Sequence, residues 1–344
     1  MLRVETFNNF KINFQNKNNS QKSGVTIPKF TYRYNLAADT FTFKGTDNKR
    51  IVACKDTNGI AQELSDVTGV KIEDTVAKKF KNGETYVRLL ERNKRKEIFV
   101  INAGNDPIND NLMEFRQLIN AAKYDSASSV TAIMPYMPYA RQDRLSKKGE
   151  ALAAKMIAKD IETAGASRVI TFDMHSPQIQ GFFDIPVENI SAMPLFADYF
   201  REKGDLASFI VVAPDAGGKN RAKELATELK LGYAQIDKER AEHNIAKATG
   251  LSGNVEGKNC IVFDDMIDTA GTIEESIRIL KENGANDVYI CATHGIFSGD
   301  AYQNLEKSGA KEVVVTDSIK LKPGAPSKIK QLSLAPLLEE ELAA

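Results

Sequence analysis

The chain has no surplus of charge: 46 Lys and Arg oppose 46 Asp and Glu, for a formal net charge of zero. That balance argues against a protein that coats nucleic acid, whose electrostatic footprint is a basic surplus. A local basic pocket is still allowed. Cysteine is scarce, and Cys54, Cys260 and Cys291 are odd in number, widely spaced and free of Cys-x-x-Cys pairs. They make neither a disulfide framework nor a zinc motif, and a reducing compartment, the cytoplasm, is expected. No run approaches the ~18 apolar residues that mark a bilayer span. The N-terminus lacks a basic-then-apolar signal, so neither secretion nor membrane insertion is expected. Three signatures are missing too. Without Gly-x-x-x-x-Gly-Lys-[Ser/Thr], ATP would not sit in a Walker A loop, and without Gly-x-Gly-x-x-Gly the simple dinucleotide reading falls. Without Gly-x-Ser-x-Gly, a Ser/His/Asp hydrolase is unsupported.

What is present is an ordinary globular chain of 344 residues, 42% apolar and 27% charged, long enough for two domains with their own cores. Residues 1–49 stand apart, rich in Asn, Lys, Thr and Phe. Their alternating stretches 4–14 and 30–43 suit hairpin strands, read as an appended hairpin or arm, with an oligomer contact or regulatory arm as the alternative. From Arg50 onward, short apolar runs at 51–54, 97–102, 129–134, 168–172, 208–213, 259–263, 287–292 and 312–316 alternate with helix-period segments. These lead to Gly165, Gly232 and Gly284, each suited to a left-handed helix C-cap. Strands alternating with helices predict an α/β fold of mainly parallel sheets flanked by helices. A polar connection at 200–206 divides an N-terminal α/β domain (50–200) from a C-terminal one (207–322), followed by a tail (323–344) that turns helical at Ala335.

The sharpest segment is 260–272, Cys-Ile-Val-Phe-Asp-Asp-Met-Ile-Asp-Thr-Ala-Gly-Thr. An apolar strand ends in Asp264 and Asp265, and a short loop, Asp268, Thr269, Ala270, Gly271 and Thr272, leads into a helix. Ligands of such sheets bind at the carboxyl ends of the strands. The loop can curl its N–H groups around a phosphate, Gly271 permits close approach, and the helix presents its positive end. Carboxylates beside a phosphate should face something else, and ribose hydroxyls, which donate to carboxylates, satisfy that. A plain capping box, Thr272 with Glu275, would leave the three acids unexplained.

This loop resembles the phosphoribosyl diphosphate (PRPP) loop of phosphoribosyltransferases and of ribose-phosphate pyrophosphokinases. Taken alone it does not choose between them. Further segments resemble the pyrophosphokinase family in order and spacing: Phe80-Lys-Asn-Gly-Glu84, Asn109-Asp-Asn-Leu-Met-Glu114, Pro138-Tyr-Ala-Arg-Gln-Asp143, the stretch 173–184 around His175, Ala213-Pro-Asp-Ala-Gly-Gly218, Lys238-Glu-Arg240 and Thr293-His-Gly-Ile-Phe-Ser-Gly299. The resemblance covers about 50–321 and leaves out 1–49.

It implies PRPP synthesis by transfer of the diphosphoryl group of ATP to the C1 hydroxyl of ribose 5-phosphate, with Mg²⁺, releasing AMP. Phe80, Asn82, Glu84, Arg141, Gln142, Asp143 and His175 would serve ATP, the first three from a neighbouring subunit of a dimer-based homo-oligomer of up to six chains. Asp264, Asp265 and 268–272 would hold ribose 5-phosphate. His175 and Asp215 would form the metal site, although His is an unusual Mg²⁺ ligand and His175 could instead meet phosphate or a bound water. Lys238 and Arg240, two apart on an extended segment, would clamp the transferring phosphates. Asp268 is the candidate general base, unless the ribose hydroxyl needs none. His294 is read as shaping a loop or interface, and His243 as surface. After Asp143, many relatives carry a basic stretch ending in Ser-Arg-[Ala/Val]-Pro-Ile. Here 144–152 reads Arg-Leu-Ser-Lys-Lys-Gly-Glu-Ala-Leu, so regulation by ADP or phosphate does not carry over, while a loop closing over ATP is still expected. Two alternatives are an inactive synthetase-associated regulatory subunit, which should have lost charged site residues, and a phosphoribosyltransferase, which would need a base-binding hood.

Overall fold

The computed structural model describes residues 46–55, 57–104, 106–242 and 245–343, without the side chains of 46, 58, 238–249 and 343. The 1–49 extension, apart from 46–49, and His243 lie outside the described residues. The first sheet contains β1 (Lys49–Ala53), β4 (Glu97–Ile101), β5 (Ser129–Met134), β6 (Arg168–Phe172) and β7 (Val187–Ile190), in that spatial order and all parallel. A hairpin of β2 (Thr75–Lys79) and β3 (Thr85–Leu89) stands apart as its own two-stranded sheet.

The second sheet has seven strands. Its middle runs β8 (Phe209–Ala213), β11 (Asn259–Ile267), β12 (Val288–Gly295) and β13 (Glu312–Thr316), again parallel. β9 (Gly232–Glu242) and the antiparallel β10 (Ile245–Ser252) complete one edge, and β14 (Ile329–Leu332) the other.

Why these runs become strands follows from their surroundings. A parallel sheet covered by helices on both faces needs apolar side chains on both, so its strands are continuous apolar runs. Neighbouring residues feed opposite cores: Ile51 and Ala53 face one side of β1, and Val52 the other. One outer core packs the first sheet against α2 (Ile108–Tyr124) and α3 (Ala153–Ala164) through Phe115, Leu118, Ile157 and Ile161. Another packs the second sheet against α6 (Gly271–Glu282) and α7 (Ala301–Lys307) through Ile273, Ile277, Leu280 and Leu305.

The inner faces of the two sheets share a third core. It is built with α1 (Asn58–Thr68), α4 (Met193–Arg201), α5 (Lys219–Leu229) and α8 (Ala335–Ala343). Phe172, Phe196, Phe200 and Phe263 are essentially inaccessible there. The Phe196 and Phe263 rings meet edge to face at 5.2 Å, a geometry worth about 0.5–1.5 kcal/mol beyond burial. The two sheets are thereby held on one apolar floor, and their carboxyl ends open onto a common cleft.

Three expectations need correction. The left-handed cap of α5 is Lys230 (φ 57°), and Gly232 is already the first residue of β9. β11 and β12 run on to Ile267 and Gly295, carrying site residues inside the strands rather than after them. The segment read as a tail, 323–344, also supplies edge strand β14, and its helix α8 crosses to the first sheet: Lys49 Nζ donates to the Leu342 carbonyl at 2.7 Å, Arg168 pairs with Glu341, and Ser333 donates to Glu63.

Candidate active site

β11 delivers Asp264 and Asp265 to the cleft by alternation: Asp265 is buried and Asp264 is partly exposed. Beyond the strand, Ala270 adopts a left-handed backbone (φ 65°) as it caps α6. That conformation is costly for a residue with a Cβ, and such strain is concentrated at sites where the surrounding structure enforces it. The enforcement is visible. Ile296 N–H donates to the Ile267 carbonyl at 2.9 Å, Ser298 N–H to the Asp268 carbonyl at 3.1 Å, and the Asn304 amide to the Thr269 carbonyl at 3.0 Å. A Cβ added to Gly271 would meet nothing nearer than the Thr269 hydroxyl at 3.9 Å, so the side facing the cleft is open to a ligand.

At the end of β8, Asp215 folds its turn onto itself, its Oδ1 accepting from the N–H groups of Gly217 (2.8 Å) and Gly218 (3.1 Å). Gly218 sits closely under this turn, where a Cβ would come to 3.3 Å from Pro214. The turn opens α5, whose third residue, Arg221, brings Nη1 to 3.7 Å from both Asp264 Oδ1 and Asp265 Oδ1.

The first sheet supplies the other wall. β6 ends in a turn at Asp173, also with positive φ (35°), and two residues on His175 reaches across. Its Nδ1 hydrogen-bonds Asp265 Oδ2 at 2.7 Å. After β5, the loop places Arg141 Nη1 2.5 Å from Asp268 Oδ2. An ion pair, Arg141–Asp268, and a hydrogen bond, His175–Asp265, therefore join the sheets across a cleft of about 400 Å³.

These contacts set the charge states. The hydrogen bond to Asp265 raises the His175 imidazole above its usual value despite opposing burial. Burial alone would raise Asp265, but the His175 hydrogen bond and the Arg221 charge prevail and hold it at about 2. Asp264 is pushed well up, first by burial and then by the neighbouring charges of Asp265 and Asp215. One carboxylate of the pair is thus firmly ionised, and the other gains most from a cation or a donated hydrogen bond.

Of the expected site residues, Arg141, His175, Asp215, Asp264, Asp265 and 268–272 all line this one cleft. Gln142 lines an adjoining cavity of about 580 Å³ with Tyr136, Tyr139 and Asn109, and Arg141 borders both. Asp143 accepts from the Gln178 amide at 2.8 Å. Phe80, Asn82 and Glu84 line neither cavity; they form the exposed tip of the β2–β3 hairpin, where Phe80 packs edge to face on Tyr86. Residues 238–240 lie on extended backbone paired with 246–248. Arg221 escaped the sequence reading. The signal was its place in the first turn of a helix that follows a Gly-Gly strand end, since that turn must face the carboxyl ends of the sheet.

Two mainly parallel sheets flanked by helices, with acids and a helix N-terminus at the strand ends that share one cleft, define an α/β protein of the nucleotide- and sugar-phosphate-binding kind. The description "N-terminal domain of ribose phosphate pyrophosphokinase" matches residues 49–165, and "phosphoribosyl synthetase-associated domain" matches 248–343. Ribose-phosphate pyrophosphokinase of Bacillus subtilis (strain 168) is 41% identical over 299 residues, spanning 87% of this chain and 94% of its own length. That of Bacillus caldolyticus is 43% identical over 284 residues, or 82% and 90%. The crystal structure of phosphoribosylpyrophosphate synthetase from Mycobacterium smegmatis superposes with a TM-score of 0.80 at 38% identity, covering 86% of this chain and 97% of the other. The chain belongs to the ribose-phosphate pyrophosphokinase family and is an enzyme of that class. Among the described residues, no helix is long and apolar enough to cross a membrane.

Proposed function

We propose that this enzyme makes PRPP by moving the diphosphoryl group of ATP onto the C1 hydroxyl of ribose 5-phosphate, with release of AMP. The observation that carries the reading is the pairing of opposites across the cleft: acids and a helix N-terminus on the second sheet face Arg141 and His175 of the first. In this reading the 5-phosphate sits on the N–H groups of 269–272 at the start of α6, where the dipole and the open face of Gly271 favour an anion. Asp264 and Asp265 accept hydrogen bonds from ribose hydroxyls. Asp268 lies nearest the transferring group and is released from Arg141 as that guanidinium turns to the ATP phosphates. Lys238 and Arg240 join it in balancing the phosphate charge.

No group of three or more His, Cys, Asp or Glu side chains among the described residues makes a protein-only metal cage. The donors nonetheless fit Mg²⁺, which keeps several waters and takes only one or two carboxylates. Asp215 lies beside Asp264, whose carboxyl is raised by burial and in part by the Asp215 charge, so two acidic side chains converge where a divalent cation would be held. His175 has its Nδ1 committed to Asp265, so its remaining nitrogen suits phosphate or a metal-bound water. When bound, Mg²⁺ would neutralise phosphate charge and orient the diphosphoryl group. Phe80, Asn82 and Glu84, exposed at a hairpin tip, would complete the adenine site of a neighbouring copy. In this reading the enzyme works in the cytoplasm, a reducing compartment with which the buried Cys260 and Cys291, in no disulfide, are compatible.

The test is direct. Protein given ATP, Mg²⁺ and ribose 5-phosphate should form PRPP and AMP in equal amounts. No AMP across a range of Mg²⁺ and phosphate concentrations would favour the regulatory-subunit reading, which retention of the charged site residues makes the weaker one. Lys238→Ala should cut turnover about a hundredfold or more while ribose 5-phosphate still binds by calorimetry. Wild-type turnover in that variant would remove the clamp from the reading.

A further inference from the structure

Thr293 and His294 are fully buried at the end of β12, on the second sheet, and neither lines the cleft. Both reach the first sheet. The His294 Nε2 lies 3.1 Å from the Phe172 carbonyl, and the Thr293 hydroxyl donates to Asp173 Oδ2 at 2.6 Å. A carbonyl only accepts, so Nε2 carries the proton and Nδ1 is the acceptor. With the imidazole neutral, Nδ1 needs a donor, and the Ser318 hydroxyl, 2.9 Å away, is placed to donate to it, while the Thr293 carbonyl, 3.0 Å from the same hydroxyl, accepts from the Thr316 hydroxyl at 2.6 Å. Each donor is used once. Burial disfavours the charged imidazole, in keeping with this neutral tautomer.

The two residues held in this way, Phe172 and Asp173, begin the turn that carries His175. Asp173 has a positive φ (35°), and its carboxylate also accepts from Ala192 N–H at 3.0 Å. The strained turn is therefore gripped from both sheets. A few residues along the same segment, Ile296 and Ser298 hold the carbonyls of Ile267 and Asp268. Gly295, between His294 and Ile296, is packed under the buried Phe297 ring, which an added Cβ would meet at 2.5 Å and displace.

We propose that segment 293–298 is a strap that fixes the His175 turn of one sheet against the ribose-phosphate loop of the other, and that Thr293 and His294 are positioning residues for the His175–Asp265 contact. The proposal rests on the reading of the cleft as the reacting site. Without the strap, the turn relaxes, His175 leaves Asp265, and the two substrates lose their mutual register although each half-site persists.

The test compares His294→Leu, His294→Gln and Thr293→Val with wild type. His294→Leu should lower kcat about ten- to a hundredfold, the cost of a misplacement near 1 Å, with calorimetric ribose 5-phosphate binding within about twofold. Gln can donate to the Phe172 carbonyl and should recover most of the loss, to within about fivefold of wild type. Thr293→Val, nearly isosteric, should lower kcat about tenfold. Ring ¹⁵N shifts of His175 should report loss of the Nδ1 contact in His294→Leu and its return in His294→Gln, a readout independent of turnover. A folded His294→Leu with wild-type kcat and unchanged His175 shifts overturns the proposal, as does His294→Gln no better than Leu. If Leu does not fold, an unaffected Thr293→Val does the same. A wild type that forms no AMP defeats the functional reading instead, and the ¹⁵N shifts then decide the strap alone.

Discussion

The carboxyl ends of β11 and β5 both open on the cleft, and they are built in opposite ways. After β11, the loop is fixed by its surroundings: Ala270 is held in a strained backbone, three carbonyls are tied to 296–304, and Asp265 is buried beneath His175 and Arg221. After β5, 144–151 is exposed throughout and organised mainly by itself, the Glu150 carboxylate accepting from the N–H groups of Ser146 (2.7 Å) and Lys147 (2.8 Å). The acids are preorganised and the bases are adaptable. This suits a reaction in which the sugar must present one hydroxyl at a fixed place while a triphosphate is gathered in and released.

If the fixed side sets the chemistry, its loss should be the most damaging. Asp265→Asn keeps the shape but removes the charge that His175 and Arg221 face. Turnover should fall about 10²- to 10³-fold, measured as AMP release, with the fold intact by circular dichroism. A fall under tenfold would move the reacting centre away from the β11 end.

Arg141 is where the two sides meet, so it tests the contrast at its boundary. Arg141→Ala frees Asp268 and removes a cation from the cleft, and the KM for ATP should rise about ten- to thirtyfold with a smaller effect on ribose 5-phosphate. Equal losses for both substrates would mean that the ion pair serves the fixed loop as much as the adaptable one.

The same contrast explains what could be read in advance. Strands covered on both faces, such as Ile98–Ile101 in β4 or Cys260–Phe263 in β11, are unbroken apolar runs and declare themselves. Hairpin β2–β3 has half-buried and exposed positions with Lys78, Lys79 and Arg88 among them, and β14 is a four-residue edge strand, so neither shows such a run. The acids and loop of 264–272 were legible because they are contiguous. Arg221 and the grip of His294 on Phe172, 122 residues apart, are created by tertiary packing, which no local spacing encodes. Lys230 took the left-handed cap from Gly232 because the next strand begins there, a tertiary demand overriding local preference.

The rigid side extends beyond the cleft to the far edge of the second sheet, where a titration can probe it. Asp317 accepts from Leu334 N–H at 2.8 Å just ahead of α8, and burial, with the Glu63 charge adding to it, raises its carboxyl to about 7. A carboxyl raised in the folded state favours folding fully below its unfolded value near 4 and loses that contribution as pH rises through about 7. Thermal melts from pH 5 to 8 should therefore fall more steeply for wild type than for Asp317→Asn, with the difference flat above pH 8. Parallel curves would show that this carboxyl is not raised.

The smallest effect expected is at Glu150, on the adaptable side. Its carboxylate fills two backbone N–H groups of a loop that also carries Arg144, Lys147 and Lys148, and an ATP phosphate would compete for the same donors. An exposed hydrogen bond of this kind is worth about 0.5–1 kcal/mol, a factor of about two to five in affinity. Glu150→Ala both frees the N–H groups and removes a negative charge from among the bases. KM for ATP should then fall about two- to fivefold, with ribose 5-phosphate kinetics unchanged and melting temperature within about 1 °C, since nothing buried is touched. A rise in KM would mean that Glu150 holds the loop in the shape ATP requires, and the β5 side would then be preorganised like the β11 side.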